Sequence, residues 1–337
     1  MKLKTSIGYG VVIAAALIAM LGSNARAQDS ALVTVTVKVP VKRDTVTINT
    51  CVKDTLYRGL YVAKWNTKVG DAVRETMLLD YCKRLGFNTL SFYDLGSILG
   101  TSTGNNKQAA FNRKCDSLGI RCEAVRGSAT DFSQTTRSFM LGRYNPAERF
   151  DGFNIEYEFW RVTDRNAGWV QDSLIVVAMN TVANQTLVRD RTQYIGWFDA
   201  PVQRRAPEYL AKNTTHLLVH YYRTKVEAVY GKYRLDSLDK IGVPVLIRPI
   251  FSAEPDFMQN LFRTVTPDSA FRLWHAQFKA FGYKNLVSDG YQIFSDDFLM
   301  VSIAPAMPAA RLAPDWKYSP LFENVTKPEH LEPLREQ

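Results

Sequence analysis

The feature that most limits what this chain can fold into is a repeated junction. Helix-like segments end in apolar-Gly-apolar, and a short apolar strand follows at once. Leu85-Gly86-Phe87 precedes 88–93, Leu118-Gly119-Ile120 precedes 121–125, and Ile241-Gly242-Val243 precedes 244–248; Phe281-Gly282-Tyr283 is a fourth case. A glycine just past a helix accepts the left-handed backbone that stops it. Direct entry into a strand afterwards is the loop of a parallel sheet. The pattern predicts eight strands, near 59–64, 88–93, 121–126, 152–158, 193–198, 216–222, 244–250 and 290–295. Eight strands in roughly 250 residues fit a (β/α)8 barrel. The rival is a doubly wound sheet, but no glycine-rich phosphate loop follows the first strand, Gly59–Trp65.

The ends of the chain read differently. Residues 1–27 have the form of a secretory leader: Lys2 and Lys4, an apolar stretch from Val11 to Leu21, then Ala25-Arg26-Ala27. The apolar run is too short to span a bilayer, which takes ~20 residues. The expectation is a protein that is secreted or periplasmic after cleavage and not membrane-spanning. Alternating Val and Thr over 28–57 predict a short β extension, residues 58–304 the barrel, and 305–337 a proline-rich tail. Without the leader the chain carries 39 basic against 33 acidic residues, a net +6, and the basic residues form no stripe. That excludes a dedicated nucleic-acid binder. Cys51, Cys82, Cys115 and Cys122 are read as a bridge or buried thiols. No Cys-x-x-Cys occurs and only four histidines exist, so neither a structural zinc site nor any cofactor is expected, and the protein is read as a monomer.

In a barrel the chemistry gathers where the strands end. Those ends are dense in aromatic and acidic residues: Trp65, Tyr93-Asp94, Arg126, Glu156 to Trp160, Trp197 to Asp199, His220 to Arg223, Glu254 and Phe294. Sugar rings stack on aromatic faces, and their hydroxyls take charged or amide partners. The candidate binding residues are therefore Trp65, Tyr93, Asp94, Arg126, Trp160, Trp197, Asp199, Glu254 and Phe294. The sharpest segment is Phe150-Asp151-Gly152-Phe153-Asn154-Ile155-Glu156-Tyr157-Glu158. Strand alternation puts Gly152, Asn154, Glu156 and Glu158 on one face. Crowded carboxylates raise one another's pKa, which keeps a proton available for a glycosidic oxygen.

This segment resembles the strand-four signature of glycoside hydrolase family 18, the chitinases and endo-β-N-acetylglucosaminidases, whose pattern is Asp-Gly-x-Asp-x-Asp-x-Glu. Asp151, Gly152 and Glu158 match it, and Asn154 and Glu156 stand at the two middle aspartates. The resemblance implies a glycosidase acting on N-acetylglucosamine-containing glycans. It makes Glu158 the general acid/base and Glu156 the carboxylate that orients the substrate N-acetyl group. A strand-six tyrosine of the family corresponds to Tyr221 or Tyr222, and the strand-eight aromatic platform falls near Phe294. Two alternatives remain at this level: a retaining glycosidase using Glu158 and Glu254, and a carbohydrate-binding barrel without catalysis.

Overall fold

The computed structural model describes residues 56–198 and 201–303. The leader, nearly all of the β extension, the tail, Cys51 and Asp199 lie outside the described residues. The expected (β/α)8 barrel is what forms. In chain order the elements are β1 Tyr57–Val62, α1 Ala72–Leu85, β2 Thr89–Phe92, α2 Ser102–Ser117, β3 Arg121–Arg126, α3 Arg137–Leu141, β4 Gly152–Ile155, α4 Arg165–Thr186, β5 Asp190–Ile195, α5 Ala206–Asn213, β6 His216–His220, α6 Lys232–Asp239, β7 Val245–Ser252, α7 Pro267–Ala280, β8 Leu286–Ser288, β9 Gly290–Phe294 and α8 Asp296–Ile303. Parallel pairing runs in sequence order from β1 to β7, then to β9, which closes onto β1. The eighth stave, expected as one strand, is two: β8 pairs only with β7, and Asp289 separates it from β9, which opens on Gly290 at φ 153°.

The junction glycines do what their position asks. Gly86, Gly119, Gly242 and Gly282 all have φ between 69° and 78°. Helix starts are capped by side chains: Asp71 accepts from the Val73 and Arg74 N–H groups, and Thr101 from Gly104. The first two β-to-α turns are copies of each other thirty residues apart. Lys64 and Asp94 take left-handed backbone (φ 50° and 57°), each opening a 3-10 turn that buries Trp65 or Leu95. Each turn then closes on Gly70 or Gly100 before the capping residue.

Strand alternation divides two cores. Leu60, Val62, Leu90, Phe92, Phe153 and Ile155 are buried on the strand faces that pack under the helices. Cys82, Cys115 and Cys122 are also buried, and all three are free thiols, so no bridge forms among them. The other face fills the barrel. At its N-terminal end the filling is polar. Tyr57 Oη lies 2.8 Å from Gln292 Oε1 and donates toward both Glu123 oxygens at 3.2 Å, while Ser91 donates to Glu123 at 2.8 Å. Arg248 makes two 2.8 Å bonds to Asp289 and lies 3.5 Å over the Tyr57 ring. His216 bridges Asp190 and Asp289 at 3.1 and 3.2 Å, and Arg121 pairs with Asp190. Burial opposes ionisation of Asp190 and Asp289, but the His216 bonds and the Arg121 and Arg248 charges hold both well below the usual carboxylate range. This end is a charge-balanced plug.

Candidate active site

At the opposite end the inward positions collect Tyr61, Tyr93, Asn154, Glu156, Tyr194, His220, Tyr222, Glu254 and Phe294. Tyr61 lies 4.9 Å from Tyr93 and 5.9 Å from Phe294, ring to ring, and Tyr222 stacks on Phe294 at 6.0 Å. Tyr194 meets the Trp160 ring edge-on at 5.2 Å, and His220 packs 4.2 Å from Tyr222. Asn154, fully buried, donates from Nδ2 to Tyr61 Oη at 2.9 Å. Asn154 Oδ1 and Glu156 Oε2 are both buried without a hydrogen-bond partner among the described residues. Phe294 is joined to Ser295 by a cis peptide.

The fourth strand delivers less than the alternation suggested and changes which acid is innermost. It ends at Ile155. The Glu156 N–H still bonds the Arg126 carbonyl at 3.1 Å, so Glu156 keeps the inward phase. The chain then turns, with Phe159 N–H bonded to the Tyr157 carbonyl and Arg161 N–H to that of Glu158. Glu158 therefore leaves the strand. Its carboxylate pairs with Arg161 at 3.1 Å and its side chain is 35% exposed. Glu156 is the carboxyl whose proton is held. Burial, then the charges of Glu158 and Glu254, push its pKa up to about 8. Glu254 follows β7, accepts a 2.7 Å hydrogen bond from Ser252, and is also raised, first by burial and then by Asp256. His220 is driven down to about 3 by burial and by Arg234 and Arg161, so its imidazole is neutral at any working pH.

Of the candidates read from sequence, Asn154, Glu156, Tyr222, Tyr93, Trp160, Phe294 and Glu254 come together here. Four do not. Trp65 is fully buried in the helix layer, donating to Gln108 at 2.6 Å and packing on Phe92 and Phe111, because the left-handed turn at Lys64 swings it off the strand end. Arg126 lies on the outward face of β3 and is spent on Asp131 and Thr135 at 2.9 and 2.5 Å. Tyr221 points away from the barrel axis into Phe251 and Trp274, and of the two tyrosines only Tyr222 joins this cluster. Asp94 is an exposed turn residue. Trp197 is partly buried over Arg234, 4.6 Å from the guanidinium. Tyr61, Tyr194 and His220 were missed as site residues. Their signal was available, since each sits in inward phase near a strand end.

Neither protein-family profiles nor curated proteins give a match to this chain. Solved structures do. A GH5_18 protein from Bifidobacterium longum subsp. longum ATCC 55813, in complex with Manβ1-4GlcNAc, is 13% identical with a TM-score of 0.50, over 72% of this chain and 69% of that one. A family 18 chitinase from Pseudoalteromonas aurantia is 11% identical with a TM-score of 0.46, over 74% and 100%. A β-mannanase from Streptomyces thermolilacinus with mannohexaose is 19% identical with a TM-score of 0.46, over 72% and 79%. At such identities what is shared is the barrel.

Proposed function

We propose that this chain is a glycoside hydrolase in which Glu156 is the proton donor and Glu254 the opposing carboxylate. One observation carries the reading: the innermost acid of the fourth strand end is half-buried with one oxygen, Oε2, fully buried and unpartnered among the described residues, and burial with two neighbouring carboxylates holds its proton up to about 8. A general acid needs its pKa near the working pH. Protonation of a bridging oxygen by Glu156 lets the leaving sugar depart as an alcohol. Negative charge on Glu254 stabilises the oxocarbenium-like centre that remains, either by direct attack or by activating water. Asn154, held by Tyr61, is placed to bond a ring hydroxyl. Tyr93, Trp160, Tyr222 and Phe294 supply ring faces. Glu158 keeps the proton on Glu156 through its charge.

A second reading is favoured by the motif Asp151-Gly152-x-Asn154-x-Glu156-x-Glu158 and by Glu158 lying close enough to raise Glu156. There Glu158 is the acid/base and Glu156 orients an N-acetyl group, as the family 18 resemblance implies. Rates of E156Q, E158Q and E254Q on chitooligosaccharides and mannooligosaccharides separate the two. The first reading expects E156Q and E254Q to abolish turnover and E158Q to keep measurable activity. Loss of activity in E158Q alone, confined to N-acetylated substrates, transfers the acid role to Glu158. Turnover by all three variants at the parent rate refutes both.

A further inference from the structure

Glu254 is placed by a buried neighbour on its own strand. Ser252 is the last residue of β7 and pairs in register with Phe294, so it shares the inward phase and lies one layer beneath Glu254. It is fully buried, and its hydroxyl donates to Glu254 Oε2 at 2.7 Å. The Glu254 N–H donates to the same Ser252 Oγ at 3.2 Å. An Oγ that accepts from the backbone has its own proton to give, and Oε2 is its one acceptor among the described residues. That bond is strongest when Glu254 is ionised. The turn around it is fixed as well. Met258 N–H bonds the Ser252 carbonyl at 3.0 Å, Phe257 N–H bonds that of Glu254 at 3.0 Å, and the Met258 side chain is fully buried. Glu254 is half-buried, and its Oε1 takes no hydrogen bond among the described residues. One oxygen is held and the other is open. The ionisable groups that face the pair are Glu156 from the β4 end, Tyr222 from the β6 end and Asp256 in the same turn. Burial and then Asp256 push the Glu254 carboxyl up, and the Ser252 bond opposes them.

We propose that Ser252 is a positioning residue for the reaction, its buried hydroxyl anchoring Glu254 Oε2 so that Oε1 is aimed at the sugar carbon or at the water that attacks it. The inference deepens the glycosidase reading and rests on it. A carboxylate with one oxygen pinned has its orientation set before the sugar arrives, which removes part of the entropy cost of reaching the transition state. Without that bond the carboxyl turns freely, and burial draws it toward a neutral form that offers the sugar no negative charge.

The test compares S252A with the parent, both as full chains. Glutamate carboxyl carbons are labelled with carbon-13, Glu254 is assigned from E254Q, and its titration is followed by NMR beside the pH profile of kcat/KM on chitooligosaccharides and mannooligosaccharides. In S252A Glu254 is expected to titrate about one pH unit higher, and the acid limb of kcat/KM to rise with it, since a hydrogen bond to a charged group is worth about one unit or more. On the plateau kcat is expected to fall about tenfold while KM holds, because the freed oxygen leaves its reacting orientation. A serine that only braced the strand would lower Tm and leave the limb unmoved. The same Glu254 titration in both proteins overturns the proposal, and so does a shifted titration with an unchanged plateau kcat. A shifted titration with no turnover of either substrate by the parent overturns the glycosidase reading and the positioning role together, and leaves the Ser252–Glu254 bond as structure.

Discussion

Replacing Glu156 with glutamine should make the protein more stable, and by an amount that depends on pH. A carboxyl whose folded pKa lies above its unfolded value keeps its full contribution below the unfolded pKa and loses it as pH rises through the folded one. Here the window runs from 4.5 to about 8. In the parent the ionisation penalty is about 0.8 kcal/mol at pH 5 and about 3.3 kcal/mol at pH 7, levelling off near about 5 kcal/mol above pH 8, at 1.36 kcal/mol per pKa unit. Glutamine carries no such penalty at any pH. Whatever constant difference its packing introduces cancels between two pH values. The gap between variant and parent should therefore widen by about 2.5 kcal/mol from pH 5 to pH 7, which is ~5–10 °C in Tm at 2–4 °C per kcal/mol for a domain of this size. Thermal unfolding followed by far-UV circular dichroism, in one buffer series for both proteins, measures it. Parallel curves across that range would show that Glu156 titrates like an exposed acid, and the proton-donor argument would fail with it. A stability gain at neutral pH together with lost turnover is the trade-off expected of a site that holds uncancelled charge.

E158Q removes one of the two charges on Glu156, so the alkaline limb of the kcat/KM profile should drop below about 8, by about one pH unit; an unmoved limb would detach Glu158 from the acid. W65A empties a fully buried site in the helix layer and should cost ~3–5 kcal/mol in denaturant unfolding while KM stays put; a KM effect without destabilisation would return Trp65 to the binding face. R248M leaves Asp289 in the plug with His216 as its remaining partner and should cost ~3–5 kcal/mol, with the turnover per folded molecule preserved. In a C51S background, thiol reagent should label Cys82, Cys115 and Cys122 only after unfolding, because all three are buried; rapid labelling of the native protein contradicts that packing.

The barrel was legible because its evidence is local. Each glycine junction states where a helix stops and a strand starts, and no tertiary fact is needed to read it. Strand phase was legible too, wherever the strand ran as far as expected. Glu156 follows from alternation, whereas the choice between Tyr221 and Tyr222 stayed open in the sequence. The reading failed where the backbone leaves the strand. Glu158 was placed inward by extending a period of two through residues that in fact turn back on hydrogen bonds at Tyr157 and Glu158. Trp65 was misplaced for the same reason, the left-handed Lys64 being invisible in composition. The fifth strand starts at Asp190 rather than 193 because Asp190 and Arg191 are recruited by His216, Arg121 and the Thr215 hydroxyl, long-range partners that no window on the sequence contains.

The two ends of the barrel interior make the functional argument by contrast. Both present acids on the same inward strand faces and at similar depth, so burial alone cannot separate a structural carboxylate from a chemical one. Countercharge does. At the N-terminal end Asp190 and Asp289 face Arg121, Arg248 and His216, and their pKa values fall. At the C-terminal end burial and the charges of Glu158 and Glu254 act on Glu156, with no cation bonded to it among the described residues, and its pKa climbs to about 8. Folding would favour exchanging such a site for a balanced one, since an uncompensated buried acid lowers stability at neutral pH. The arrangement is accounted for if the missing positive character arrives with the ligand. It comes as the proton shared with a glycosidic oxygen and as the cationic sugar carbon that forms when that bond breaks. Each of these makes the carboxyl cluster more favourable in the reacting complex than in the free protein, and that difference is what lowers a barrier.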